Sequence, residues 1–205
     1  MNTSSHTVPQ TRGPSDHDVR TQIVEAATAY FTRYGYEKTT VSDLAKEIGF
    51  SKAYIYKFFD SKQAIGEVIC ANRLAEMRRA VDAAIAGATS APDRFRRMFR
   101  AFVEAGTQLF FEDRKLFDIA ATAAREPWPS ARAYEQYVEE LVTRIVREGR
   151  ESGEFERKTP LDETANAICL VMKPYVNPLM LQYNLDHAQD ATLHLSNLIL
   201  RSLAP

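Results

Sequence analysis

Apolar residues recur with the period of an α-helix along almost the whole chain, and this pattern limits what the chain can fold into. From Ser15 onward, no segment alternates apolar and polar residues in the β-branched manner of a strand. Only 8 of the 205 residues are glycine, which disfavours β-sandwiches, barrels and glycine-rich nucleotide folds. The sequence therefore predicts an all-α protein of about nine helices.

Glycines and prolines divide this pattern into separate helices. The first is predicted over about residues 18–34 and ends at Gly35, because glycine adopts the left-handed C-terminal conformation without steric cost. Two short helices follow, separated by Gly49. The fourth has no breaker before Gly87, so its roughly 26 residues span about 40 Å. Pro174 is expected to kink a later helix. The remaining helices are predicted at about residues 92–111, 114–125, 130–152, 161–183 and 187–203.

This division suggests a polar tail, a small head and a larger body. Residues 1–17 are polar and contain prolines and a glycine, so we expect a disordered tail. A basic arm that enters DNA is the alternative for this tail, although Arg12 is its only lysine or arginine. The long fourth helix is expected to join the head, residues 18–62, to the body, residues 63–205.

Composition excludes several classes of protein. Two cysteines, Cys70 and Cys169, are too few and too far apart for a disulfide framework or a CxxC metal site. No apolar run approaches the roughly 20 residues needed to cross a bilayer, and the N-terminus lacks the apolar core of a signal peptide. We therefore expect a cytoplasmic protein with no membrane partner. A net charge of −1 argues against a uniformly basic surface but leaves room for a local basic face.

Residues 41–59, VSDLAKEIGFSKAYIYKFF, have the pattern of a helix-turn-helix unit. Ala45 is small where two helices must cross closely, and Gly49 provides the tight turn between them. Apolar residues fall where such a unit buries its inner side, namely at Leu44, Ile48, Phe50, Ile55 and Phe58. Residues 50–62 hold three lysines against one aspartate, a local charge of +2. A purely structural helix corner is the alternative, but it does not require an outward-facing Tyr56. We therefore expect the third helix to enter the major groove of DNA.

Residues 23–69 resemble the N-terminal domain of the tetracycline-repressor (TetR) family of transcriptional regulators. The shared features are A-x-x-x-F-x-x-x-G-Y, then T-T-V, D-L-A-x-E-I-G-F-S-K, Y-x-Y-K-F-F and a final S-K. Residues 145–155, IVREGRESGEF, resemble a stretch of the family's seventh helix and its exit. The chain departs from the family at Ala53 and Tyr54, where many members carry a glycine and a small residue. The resemblance implies a two-fold dimer whose body binds a ligand and controls affinity for an operator, more often in repression than in activation.

The resemblance also assigns a DNA-binding set by position: Thr40, Ser51, Lys52, Ala53, Tyr54, Tyr56, Lys57 and Lys62. The lysines are expected to pair with phosphates, which positions the protein without reading sequence. Thr40 and Ser51 open helices, so they suit both N-capping and a phosphate contact.

The remaining members of the set have other expected roles. Ala53 and Tyr54 stand at the front of the third helix, where side chains reach base edges or thymine methyl groups. For Tyr54, burial against the first helix is an equal alternative. Tyr56 is expected to lie along the DNA backbone.

The body is rich in aromatic residues at helical spacing, which suits either an ordinary core or an apolar pocket between helices. The resemblance implies a pocket, and the candidate ligand-binding residues are Phe99, Phe102, Phe110, Phe117, Trp128, Met172 and Tyr175. No cluster of cations marks an anionic ligand, so the expected effector is a small apolar or aromatic molecule. The last two helices have broad apolar faces, where the resemblance places a homodimer interface. Half-sites about 34–36 Å apart would then be required.

The resemblance therefore implies a ligand-responsive regulator, a repressor that a small molecule releases from a palindromic operator. No HExxH motif, P-loop or nucleophile–base pair is visible, so no enzymatic activity and no cofactor are expected. His187 and His194 lack a third ligand, and no metal site is predicted. A non-specific architectural DNA-binding protein and, less favoured, an all-α enzyme are the alternatives.

Overall fold

The computed structural model describes residues 16–205, and within them the chain forms ten α-helices and one short 3-10 helix, Leu185–His187. The all-α prediction is confirmed. None of the helices in the described part of the chain is long and apolar enough to span a bilayer. The helices are α1 (Asp16–Tyr34), α2 (Val41–Ile48), α3 (Lys52–Ile55), α4 (Lys62–Ala86), α5 (Ala91–Glu112), α6 (Arg114–Arg125), α7 (Pro129–Glu151), α8 (Leu161–Val176), α9 (Pro178–Leu181) and α10 (Ala188–Ser202).

Helix α1 begins two residues earlier than predicted. Asp16 and His17, which the sequence assigned to a disordered tail, form its first turn. The rest of that tail lies outside the described residues. The stripe of Val19, Ile23 and Phe31 is buried, and α1 packs against α2 of the head, against α4 and against α6 of the body. This apolar face of α1 therefore contributes to the core of the head and also attaches the head to the body.

Helix α4 connects the head to the body. Its 25 residues span about 38 Å, and it packs against α1 at one end and against α5, α6 and α7 along its length. Ile65 and Ile69 are buried in its first half, and Val81 and Ile85 are buried near its end. The two parts of the molecule therefore share one continuous helix.

The end of α8 differs from the prediction. A single helix over residues 161–183 was expected, but α8 ends at Val176 and α9 starts at Pro178. Pro174 removes one backbone donor in the last turn, and the side chain of Asn177 then accepts the N–H groups of Leu179 and Met180. The proline and the new N-cap together end one helix and begin another.

Gly66 of α4 lies where the head meets the body at close range. A Cβ at this position would approach Tyr36 Cε2 to 2.8 Å and Trp128 Cη2 to 3.1 Å. Both rings are buried, so neither can move aside freely. We therefore expect Gly66→Ala to lower the free energy of unfolding by about 1–3 kcal/mol through overpacking, as measured by urea denaturation.

The matched control is Gly87→Ala at the end of the same helix, where the nearest atom to an added Cβ is a flexible guanidinium of Arg97 at 3.4 Å. This variant should stay within about 0.5 kcal/mol of the parent protein. Equal stability of the two variants would contradict a tight head–body contact at Gly66.

Candidate nucleic-acid interface and ligand cavity

The turn between α2 and α3 has the geometry that the sequence predicts. Gly49 adopts φ +78°, and the N–H of Phe50 donates to the carbonyl of Ala45 at 2.9 Å. Ala45 and Ile55 are buried between the two helices. Because this corner fixes the inner side of α3, it also fixes which residues α3 presents outward.

The outer face of α3 is basic and exposed. Lys52, Ala53 and Lys57 are exposed, and Tyr56 retains 42% of its surface. The Lys52 ammonium lies 5.8 Å from the centre of the Tyr56 ring. Ser51 is also exposed, and its hydroxyl oxygen accepts the N–H of Tyr54 at 3.1 Å, so it is the N-cap of α3. Lys52 and Ala53 belong to α3, whereas Ser51, Tyr56 and Lys57 flank it, and we call these five exposed residues the α3 face.

Tyr54 is half-buried beside the α3 face. Its ring meets the ring of Phe50 edge-on at 5.0 Å and the ring of Phe58 at 5.3 Å. The Lys57 ammonium lies 5.5 Å from the Tyr54 ring centre. The aromatic body of Tyr54 therefore packs within the head, and the ring also supports a lysine of the α3 face.

Lys62 differs from the other two lysines of the predicted set. Its ammonium donates to the carbonyl of Tyr36 at 3.0 Å and lies 4.2 Å above the Tyr36 ring. The side chain therefore bends back over the head. A contact with phosphate would require it to leave these two partners.

Thr40 forms a complete capping box with Asp43 at the start of α2. The Thr40 oxygen accepts the N–H of Asp43 at 3.2 Å, and the Thr40 N–H and hydroxyl both donate to the Asp43 carboxylate, at 2.8 and 2.7 Å. These hydrogen bonds from Thr40 hold the pKa of Asp43 below its ordinary value. The carboxylate thus occupies the positive end of α2, where a phosphate was expected to bind.

Arg20 supports α3 and was not anticipated from the sequence. Its guanidinium donates to the carbonyl of Phe58 at 2.6 Å and lies 4.1 Å above the Phe59 ring. Arg20 therefore links Phe58 and Phe59, the residues that follow α3, to α1. Nothing in the local sequence pattern marks this role, since the contact joins residues 38 positions apart.

A cavity of about 220 Å³ lies in the body between α4, α6, α7 and α8. Its wall includes Leu74, Tyr134, Val138, Cys169 and Met172. Of the seven candidate ligand-binding residues, Met172 lines this cavity. The other six do not: Phe99, Phe102, Phe110, Phe117, Trp128 and Tyr175.

Most of those six residues belong to the packed interior. Phe99 meets Tyr175 edge-on at 6.4 Å, and Phe110 meets Phe117 at 4.9 Å. Trp128 is buried against Tyr36 of the head at 5.7 Å. These residues therefore belong to an ordinary packed core, which was the alternative to a pocket that the sequence left open.

Two family models match the chain. One described as "Bacterial regulatory proteins, tetR family" matches residues 23–68, and one described as "Tetracyclin repressor-like, C-terminal domain" matches residues 91–195. The chain therefore belongs to the TetR family of transcriptional regulators. Members of this family bind DNA and small-molecule effectors and form dimers.

Individual relatives agree with this assignment. The HTH-type transcriptional regulator YfiR of Bacillus subtilis (strain 168) is 29% identical over 146 residues, or 68% of this chain and 69% of YfiR. YhgD of the same strain is 38% identical over 68 residues, so the match spans only 33% of this chain and 36% of YhgD. The solved structure of the TetR-family regulator PfmR from Thermus thermophilus has a TM-score of 0.60 at 28% identity and covers 94% of this chain and 99% of PfmR.

Lys57 offers a direct test of the α3 face. If its ammonium neutralises one phosphate, Lys57→Ala should weaken binding to all DNA sequences alike. The plot of log affinity against log salt should also become shallower by about one unit. Titrations of a fluorescent DNA fragment at several salt concentrations measure both quantities.

Lys158→Ala is the control, because Lys158 is an exposed lysine that follows α7 in the body. It should leave both affinity and slope unchanged. An unaltered slope for Lys57→Ala would remove this residue from the phosphate contacts.

Proposed function

We propose that the protein is a ligand-responsive, sequence-specific transcriptional regulator that binds a palindromic operator as a homodimer. The proposal places it in the bacterial cytoplasm, as a repressor that a small apolar or aromatic molecule releases from DNA. The observation that carries the proposal is the α3 face, whose five residues are all exposed on or directly beside α3, while Ile55 on the inner side of this short helix is buried in the core of the head.

The chemistry of the α3 face suits a DNA groove. Lys52 and Lys57 supply charge for phosphates on either side of the groove, which positions the helix. Ala53 is small and stands at the front of α3, where a methyl group can meet a thymine methyl. Tyr56 offers a flat ring and a hydroxyl at the edge of the same surface. Thr40 and Lys62 have partners within the head, so we place them at the margin of the interface.

A dimer explains the exposed apolar residues of α8 and α10. Leu193 and Leu198 of α10 leave 57% and 63% of their surface exposed, and Leu170 of α8, which also lines the cavity, leaves 61% exposed. Helices α8 and α10 pack side by side in the body, so these residues can form one apolar surface. Two copies related by a two-fold axis would bury it in a four-helix interface. The axis would present two α3 faces to one side of a DNA duplex.

Ligand response requires a link between the cavity and DNA binding, and α4 supplies one. Leu74 of α4 lines the cavity, and the first turns of the same helix pack against the head. A ligand that displaces α4 would change the separation of the two α3 faces. It weakens DNA binding only if its affinity differs between the two separations.

Selection from random DNA sequences tests sequence specificity. The proposal expects an enriched palindrome whose half-sites lie about one helical turn apart, roughly 34–36 Å. Absence of any enriched motif would favour a non-specific architectural DNA-binding protein instead.

Leu198→Glu tests the dimer. Two glutamates brought together at a two-fold interface repel each other, so the variant should sediment as a monomer and bind the selected palindrome at least about tenfold more weakly. Analytical ultracentrifugation and DNA titration measure the two effects.

Phe111→Glu is the matched control, because Phe111 is also a strongly exposed apolar residue, at 71%, but it lies near the end of α5 and belongs to neither helix of the proposed interface. It should remain dimeric. A dimeric Leu198→Glu with full DNA affinity would contradict the proposed interface.

A further inference from the structure

The α3 face is built around a helix that is too short to be stable by itself. Helix α3 has four residues, and isolated helices shorter than about 12 residues are marginal in water. Ser51 caps its N-terminus, and Ile55 buries its inner side completely. The arrangement of the α3 face therefore depends on contacts that hold α3 and its flanking residues to the rest of the head.

The turn that follows α3, residues 56–58, includes two residues of the α3 face, Tyr56 and Lys57. The N–H groups of Phe58 and Phe59 both donate to the carbonyl of Ile55, at 3.0 and 3.1 Å. No backbone N–H in residues 16–205 donates to the carbonyl of Phe58. Carbonyl groups beyond the end of a helix need a partner from elsewhere, so this end of the turn depends on a side chain.

Arg20 of α1 is that partner. Its guanidinium donates to the Phe58 carbonyl at 2.6 Å, and its central carbon lies 4.1 Å from the centre of the Phe59 ring. Phe59 is only 2% exposed, so the guanidinium lies over a ring that is fixed in the core. A planar guanidinium can stack on a ring and donate sideways at the same time, whereas a lysine ammonium cannot do both.

Tyr56 and Lys57 therefore lie between two points at which the chain is held. Ile55 holds the chain before them through burial, and Arg20 holds it after them through the Phe58 carbonyl. Substitution of Arg20 would release the second point and leave every residue of the α3 face in place. Arg20 can thus be tested separately from the surface that it supports.

We infer that Arg20 is a positioning residue for DNA recognition, which holds the turn after α3 so that Tyr56 and Lys57 meet the duplex in one arrangement. The inference rests on the proposed function in taking the α3 face as the surface that reads the operator. It adds a residue outside the DNA-binding set predicted from the sequence. A direct phosphate contact is the alternative role, because Arg20 is exposed and a guanidinium has several N–H donors.

Hydrogen–deuterium exchange without DNA tests the link to the turn. In Arg20→Ala, the amides of residues 56–59 should exchange about three- to tenfold faster, because loss of a charge-assisted hydrogen bond lets this turn open locally. The amides of α2 should stay within about twofold of the parent protein. The control is Arg73→Ala, which removes the same charge from α4, where Arg73 pairs with Glu76 of its own helix. It should change neither set of amides.

Titrations with the selected palindrome and with a scrambled fragment test the effect on recognition. Arg20→Ala should bind the palindrome about three- to tenfold more weakly and the scrambled fragment within about twofold, since base contacts specify sequence and phosphate contacts do not. The salt dependence should keep the slope of the parent protein. Arg20→Lys should behave like Arg20→Ala, because the ammonium keeps the charge but loses the planar stacking geometry. Arg73→Ala should bind both fragments like the parent protein.

Several outcomes would overturn the positioning role. Full affinity in Arg20→Lys, or a slope that is shallower by about one unit in Arg20→Ala, would show a phosphate contact instead. Unchanged affinity for the palindrome, or faster exchange throughout the head, would also overturn it. A parent protein that selects no palindrome would contradict both the regulator proposal and the role of Arg20 in reading sequence. The exchange measurement contains no DNA, so it decides independently whether Arg20 holds the turn.

Discussion

The contact of Tyr36 with Trp128 across Gly66 joins the DNA-binding head to the body. The two rings meet edge-on at 5.7 Å, and an added Cβ on Gly66 would clash with both. Next to this contact, Glu67 accepts hydrogen bonds from the backbone N–H and the hydroxyl of Ser130 at the start of α7. Close packing and charge-assisted hydrogen bonds therefore hold the first turns of α4 against two other elements.

The residues of this junction are close in sequence to residues that line the cavity. Ala131, which follows Ser130, lines the cavity, and Leu74 lines it from α4, two turns beyond Glu67. A ligand that shifts the start of α7 also acts on Glu67 through Ser130. Packed interiors respond to such shifts by moving between discrete arrangements rather than by bending smoothly. In the proposed mechanism, Ser130 and Glu67 would form a short connection from a ligand in the cavity to the head.

Features set by neighbouring residues could be predicted from the sequence. The capping box of Thr40 and Asp43, the turn at Gly49 and the basic α3 face all depend on residues a few positions apart. Features set by distant residues could not. The richness of the body in aromatic residues suggests that Trp128 is buried but not that it meets Tyr36, and helical periodicity gives no sign that Tyr134 rather than Phe102 lines the cavity. Long side chains add a further difficulty, because Lys62 bends back to a carbonyl that sequence spacing does not reveal.

Hydroxyl-radical footprinting on the selected DNA tests the central claim most directly, namely that two copies of the α3 face engage one side of a duplex. The account predicts two protected patches on that side, related by two-fold symmetry, with centres about 34–36 Å apart. A single protected patch, or continuous protection around the duplex, would contradict it.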